Sequence, residues 1–302
     1  MLDQKPPWQI NYVPTFGGRV YRLSPRDNAI LDFIWKWKIP STSAIHEEVG
    51  RPNTVYSTYK ALERLERLQD IECFQNRRDG FKYWVLTEQG FESIKESLGE
   101  LKEEGFLSEN PCHDRNVIAF HLGEWATHRY PVVTHFSEQE LRRYPVDAYP
   151  EWLPKSGDHR ADGYTRIKGE KRIWRLAFEV ELSAKKSHLY NSVIQFYRRM
   201  KELDRVYWLI GDAYIKEQIL AAKASVKDEE DNYHLFVDRS DYEKMGWDAP
   251  VTNCRSQTLF TLRGNYAGML GEPYAELIRN SRGPSTVSVH YDPRKVVGKP
   301  RA

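Results

Sequence analysis

The chain has 302 residues, enough for two domains of ordinary size, and its 40% apolar share can fill real cores. No apolar run is long enough to span a bilayer, the N-terminus has no signal-peptide pattern, and Cys73, Cys112 and Cys254 form no CxxC pair. These features argue against a membrane protein and a structural zinc site and point to a reducing cytoplasm, while a net charge of +2 leaves local patches as the only route to nucleic acid.

Residues 1–23 open with a Pro-rich lead and then Trp8 to Val13, a short strand or arm. Ser24-Pro25 is an N-cap followed by proline at the first helical position, and Ile30, Phe33, Ile34 and Trp37 recur at helical spacing. Pro40-Ser41 ends that helix and caps a second, Thr42 to Val49. Asn53 caps a third, Thr54 to Leu68, whose inward stripe reads Val55, Tyr59, Leu62, Leu65 and Leu68. Ile71 to Phe74 is a strand, Gln75 to Gly80 a polar tip with Arg77 and Arg78, and Phe81 to Leu86 a second strand. Thr87 starts another helix.

Three helices and a basic-tipped hairpin form the plan of a winged helix-turn-helix. TVYSTYKALERLERLQDI and FKYWVLTEQGFESI resemble the recognition helix, wing and exit of that superfamily, over residues 22–98. The resemblance implies that the third helix offers Thr54, Ser57, Thr58 and Lys60 to the major groove of double-stranded DNA. It also implies that Arg77, Arg78 and Lys82 on the wing meet phosphate. Acidic and basic residues balance over this region, so a winged helix used for protein contacts is the alternative.

Residues 99–113 form a charged boundary. Asp114 to Arg129 reads as a helix with Val117, Ile118, Leu122 and Trp125 on one side, and Pro131 to Val133 is extended. Ser137 and Glu140 match a capping box. His159 to Lys185 reads as a β-hairpin. Its turn is Lys168 to Lys171, with Gly169 at the first central position of a two-residue type II′ loop. That register sets Asp162 opposite Ala177 and Glu179 opposite Arg160. Alternation puts Asp162, Ala177, Glu179 and Glu181 on one side, and Trp174, Leu176, Phe178, Val180 and Leu182 on the other. The second set is core. The first is either a solvated outer face or a site for a hard cation, because neighbouring like charges repel unless compensated.

Ser187 to Leu203 reads as a helix, Val206 to Ile210 as a buried central strand, Asp212 to Lys223 as a helix and His234 to Val237 as a strand. A last apolar piece covers Thr258 to Leu262, and the tail after Ser281 has a disordered composition.

The order of helix, acid-bearing hairpin, Glu179-Val180-Glu181, helix and buried strand resembles the restriction-endonuclease-like, or PD-(D/E)xK, superfamily. Ala161-Asp162 matches the Pro-Asp half and Glu179-Val180-Glu181 the (D/E)xK half. With the winged helix in front, residues 22–212 are similar to the replication-relaxation (plasmid mobilisation) proteins of bacteria. The expected fold is α+β. Residues 1–105 would be a winged helix-turn-helix with an N-terminal arm, and 106–245 a restriction-endonuclease-like α/β domain with a central mixed sheet. Residues 246–302 would be a C-terminal extension.

The resemblance implies metal-assisted phosphodiester hydrolysis in plasmid or mobile-element DNA processing, alongside other proteins of such a complex. Asp162 and Glu179 would hold Mg²⁺ (or Mn²⁺), and Glu181 would complete the shell or act as general base. Lys185 would supply the lysine that Glu181 displaces from the motif. His159 at the hairpin mouth and Gln195 on the following helix are further candidates. The displaced lysine leaves two alternatives open: a non-catalytic DNA-binding protein that keeps the fold, and a protein-interaction adaptor.

Overall fold

The computed structural model describes residues 15–16, 19–20, 22–50, 52–75, 81–122, 132–155 and 157–272. Strands β1 (Thr15–Phe16) and β2 (Arg19–Val20) pair antiparallel. Helix α1 (Pro25–Trp37) starts in a capping box between Ser24 and Asp27. α2 (Thr42–Ile45) runs on into a π-turn, His46–Gly50. α3 (Val55–Arg67) is capped by Thr54, whose hydroxyl accepts the Ser57 N–H at 3.2 Å, in place of the expected Asn53. β3 (Ile71–Gln75) and β4 (Lys82–Leu86) form an antiparallel hairpin, and α4 (Glu88–Leu98) follows its Thr87 cap. Thr58, Leu62 and Leu65 face inward from α3. That stripe gives out before the first turn, which leaves Val55, expected inside, 51% exposed.

The rest of the chain builds a mixed sheet. Its elements are α5 (Pro111–Leu122), β5 (Val133–Ser137), α6 (Glu138–Arg143), β6 (Gly163–Lys168), β7 (Ile173–Glu181) and α7 (Ser187–Arg199). β8 (Arg205–Ile210), α8 (Ala213–Ser225), β9 (His234–Asp238) and α9 (Arg239–Met245) come next. β10 (Pro250–Thr252), β11 (Thr258–Thr261) and α10 (Leu262–Leu270) complete it. The seven strands run in the order β11-β10-β9-β8-β7-β6-β5, with β7, β8 and β9 parallel and the other pairs antiparallel. Part of the expected C-terminal extension therefore belongs to the central sheet. The predicted helix end at Arg129, with Trp125, lies outside the described residues.

Alternation divides the sheet as the hydrophobic pattern requires. Leu176, Phe178, Val180, Tyr207 and Leu209 face α5, α9 and α10, in one core continuous with Ile30, Ile34 and Trp37 of α1. Tyr164, Ala177, Val206 and Trp208 face the other way, under Tyr190, Ile194 and Tyr197 of α7 and Ile215 and Ile219 of α8. The winged-helix-like unit and the sheet thus share apolar packing across the expected domain boundary.

The hairpin register differs from the expected one by two positions. Lys168 pairs with Ile173, and the Gly169 N–H donates to the Arg172 carbonyl at 3.0 Å, so Glu170 and Lys171 form the tip. Gly169 answers a different need: a Cβ there would stand 2.0 Å from the Met269 carbonyl oxygen of α10. A shift of two keeps every side chain on its face. It does change the partner across the mouth. Asp162 precedes the last pair, Gly163–Phe178; its own N–H donates to the Phe178 carbonyl at 3.1 Å and its side chain accepts the Val180 N–H.

On the central strand, the Trp208 indole donates to His234 Nδ1 at 3.0 Å, which puts the ring proton on Nε2, towards Asp228 at 3.5 Å. Burial holds the His234 pKa down to about 4, against 6.5 for a free histidine. A depressed folded pKa gives stability that is complete above the unfolded value and is lost as pH falls towards the folded one. Thermal unfolding followed between pH 6.5 and about 4 should therefore decline less steeply in His234→Gln than in the wild type. Parallel declines would show that this ring is not held neutral.

Candidate functional site

The mouth of the β6–β7 hairpin gathers the acids. Glu179 and Glu181 are each 3% exposed, although both are carboxylates on a sheet face. Asp162 closes the end of β6, and its Oδ2 accepts the Val180 N–H of β7 at 2.6 Å. The chain leaves Asp162 through Gly163, where a Cβ would come within 2.2 Å of the His121 ring. The solvated-face alternative does not apply, since α7 covers this side of the sheet.

Burying a carboxylate costs several kcal/mol unless a partner compensates it. Each of the three has one. His159 Nε2 lies 2.6 Å from Glu179 Oε1, and the buried Tyr197 hydroxyl donates to the same oxygen. Lys185 bonds to Glu181, four residues back in the chain, while its own N–H donates to the Tyr190 hydroxyl at 3.1 Å. His113 Nε2 stands 3.4 Å from Asp162 Oδ1. His113 and Asp114 occupy the first turn of α5, where the Asn110 side chain accepts the His113 N–H at 3.2 Å.

The charges act on one another. Burial pushes Glu181 up to about 7, with Lys185 opposing part of the rise. Burial would also lower His113, but Asp162 and Asp114 outweigh it and hold the ring up to about 11. Burial likewise opposes the charged form of His159, and Glu179 overcomes it and raises the pKa. Burial would raise Asp162, yet His113 keeps it below the usual carboxylate value. Lys185 feels Glu181, Glu179 and Asp162 together, against the cost of its own partial burial. The three acids and Lys185 are therefore one electrostatic unit. Gln195 is exposed on α7.

The sequence pointed to Asp162, Glu179, Glu181, Lys185 and His159, but not to His113, Asp114 or Tyr197. The last three lie far off in the chain and carry no motif. The Asn110-Pro111 helix start was the available signal for His113, since it fixes which residues occupy the first turn.

The DNA-facing candidates separate. Thr54 is exposed at the start of α3, and Lys60 is exposed and paired with Glu63 at 2.8 Å. Ser57 is half-buried and accepts Arg26 Nη1 at 3.1 Å. Thr58 is fully buried, accepts Arg26 Nη2 at 2.9 Å and meets His46 Nδ1 at 3.0 Å. Its hydroxyl is spent inside the fold, so it does not lie on the outer face of α3. Val55 and Tyr56, neither of them predicted, are the large exposed side chains there. Lys82 sits over the Tyr59 ring, 4.5 Å from its centroid. Arg77 and Arg78 lie outside the described residues.

Among the described residues, no three His, Cys, Asp or Glu side chains converge as a ready-made metal cage. Mg²⁺ does not require one, because it takes one or two carboxylates and fills its octahedron with water and substrate phosphate. Asp162 and Glu179, both near enough to His159 to act on its charge, offer carboxylates of that kind. Asp162 and Glu179 are the pair that would hold the ion.

No family model matches the sequence, and no curated protein matches it. Among solved structures the chain is similar to the C30AH42A mutant of Lactococcus lactis ZitR, at 24% identity, covering 26% of this chain and 52% of that one, with a TM-score of 0.23. It is similar to ZitR itself, described as a zinc-responsive MarR family member, at 20% identity, 29% and 59% coverage and a TM-score of 0.23. Restriction endonuclease FokI matches at 9% identity, covering 72% of this chain and 42% of that chain, with a TM-score of 0.23. The chain spans about half the length of the ZitR chains. Likenesses this slight decide nothing about the chemistry of the site. Among the described residues, no helix is long and apolar enough to cross a membrane.

The two faces of α3 should respond differently to substitution. Thr58→Val removes the hydroxyl that Arg26 donates to and that His46 meets, in a buried place, and should lower stability by about 1–3 kcal/mol. Tyr56→Ala, at an exposed position, should stay within about 0.5 kcal/mol of wild type. Urea unfolding of both variants checks this, and equal losses would contradict it.

Proposed function

We propose that this chain binds double-stranded DNA and that its sheet domain is a Mg²⁺-dependent endonuclease, nicking or cleaving plasmid or mobile-element DNA. The observation that carries the proposal is the gathering of Asp162, Glu179 and Glu181 at the hairpin mouth, where all three act on Lys185, which bonds to Glu181.

Each residue then has a role. Asp162 and Glu179 would hold the ion, which supplies polarisation of the scissile phosphate and a more acidic attacking water. His159 and Tyr197 fix the orientation of the Glu179 carboxylate. Glu181, raised to about 7, is poised to take a proton at neutral pH. Lys185 is exposed and can offer its ammonium to charge developing on a phosphate oxygen. The exposed start of α3, with Thr54, Val55, Tyr56 and Lys60, would meet the duplex, and Lys82, Arg77 and Arg78 on the hairpin would meet phosphate.

One observation favours a second reading. Each acid already has an internal cation: His113 for Asp162, His159 for Glu179 and Lys185 for Glu181. A fold that neutralises its acids from within suits a non-catalytic DNA-binding protein that has retained the scaffold.

A nicking assay on supercoiled plasmid with Mg²⁺ or Mn²⁺ separates the two. Asp162→Asn should abolish cleavage while the protein stays folded and still binds DNA, because asparagine keeps the shape and removes a charge that repels phosphate. Lys185→Ala should cut the rate by about tenfold or more, with little change in DNA affinity. A wild-type protein that binds plasmid but cuts nothing with either ion would establish the second reading.

A further inference from the structure

α1 ends on an unusual residue. A chain that must take positive φ at a helix end generally uses glycine or asparagine. Here the residue is Lys38, with φ 62° and ψ −48°. The Ile39 N–H reaches back to the Trp37 carbonyl at 2.7 Å, which makes a γ-turn of the rare, strained kind. Lys38 is also buried, at 8% exposure. A strained and buried lysine persists only where its surroundings hold it.

Two carboxylates from the sheet domain do so: Asp114 Oδ1 at 3.2 Å and Glu138 Oε2 at 2.8 Å. Each leads on to Asp162 by its own path. Asp114 Oδ1 lies 3.5 Å from His113 Nδ1, and His113 Nε2 lies 3.4 Å from Asp162 Oδ1. The other oxygen of Asp114 accepts the Ser108 hydroxyl at 2.6 Å, which fixes its plane. The Glu138 backbone N–H donates to the Asp162 carbonyl at 3.1 Å. One path therefore holds the Asp162 carboxylate and the other its backbone. At the opposite end of the same helix, Arg26 bonds to Ser57 and Thr58 of α3. A helix of this length spans about 20 Å, so α1 is a strut between the proposed DNA-reading helix and the acid pair.

We propose that Lys38 is a positioning residue for Asp162, carrying the seating of α1 through Asp114–His113 and through Glu138 to the carboxylate at the hairpin mouth. Its effect on cutting rests on the endonuclease reading; the connection from Lys38 to Asp162 does not. Seating of α3 on a duplex would then bear on the geometry of the acids through one rigid element.

The test is a double-mutant cycle on thermal unfolding of the full chain. Lys38→Met is combined with Asp162→Asn, and separately with Glu181→Gln, an acid at the same mouth that neither path touches. The first pair should depart from additive melting shifts by about 2 °C or more, and the second should add to within about 1 °C. If Lys38→Met does not fold, the shape-preserving Asp114→Asn takes its place in both pairs. Additivity in both pairs overturns the proposal, whatever the protein cuts. In the nicking assay, Lys38→Met should lower the single-turnover rate by about tenfold or more with duplex affinity within about twofold, and Lys38→Arg should recover most of the rate. Affinity falling in step with the rate would mark Lys38 as a general structural residue and also overturn the proposal. A wild type that cuts nothing, with the Asp162 pair still non-additive, removes the endonuclease reading and leaves Lys38 as the residue that positions Asp162.

Discussion

A carboxylate removed from water must be paired, or burial drives it towards its protonated form. β7 carries two such groups on its covered face, and the end of β6 brings a third. The neighbourhood is built around that constraint. α7 contributes the Tyr197 hydroxyl, the loop before β6 contributes His159, the turn after β7 contributes Lys185, and α5 contributes His113. Replacing these acids with apolar residues would have been the cheaper way to cover a sheet. Keeping them, with four separate elements arranged to hold them, is the reason to read the hairpin mouth as a site.

The same constraint reaches across the expected boundary between the N-terminal helices and the sheet. Asp114 and Glu138 are acids of the sheet domain, and both are matched by Lys38 of α1. Lys36, also of α1, donates to the His135 carbonyl at 2.9 Å and pairs with Glu140 at 3.0 Å. The Trp35 indole donates to the Gly105 carbonyl at 3.1 Å. Together with the shared apolar core, these contacts make α1 part of both units.

Most elements were legible because caps and periodicity are local. Ser24-Pro25, Thr87, the Ser137–Glu140 box and Asp212 all start helices as their side chains dictate. The assignment of faces on β7 was legible too, since parity survives a register error of two. The register itself was not, because Gly169 suits a turn in the sequence, whereas the Met269 carbonyl of α10, a hundred residues away, is what requires it. The buried place of Thr58 was hidden for a similar reason: its partners, Arg26 and His46, come from other elements. His113, Asp114 and Lys38 carry no motif at all, and only the folded chain brings them to Asp162. The strands at Pro250–Thr252 and Thr258–Thr261 are short, with weak alternation, so their place in the central sheet was hidden.

The central claim is that the hairpin mouth takes a divalent cation on Asp162 and Glu179. Mn²⁺ accepts the same oxygen ligands as Mg²⁺ and can be followed by electron paramagnetic resonance as it leaves solution. Titrated into the full chain without DNA, Mn²⁺ should show a bound fraction that disappears in both Asp162→Asn and Glu179→Gln. A wild-type chain that binds no Mn²⁺, or one whose bound fraction is unchanged in Asp162→Asn, would contradict the claim.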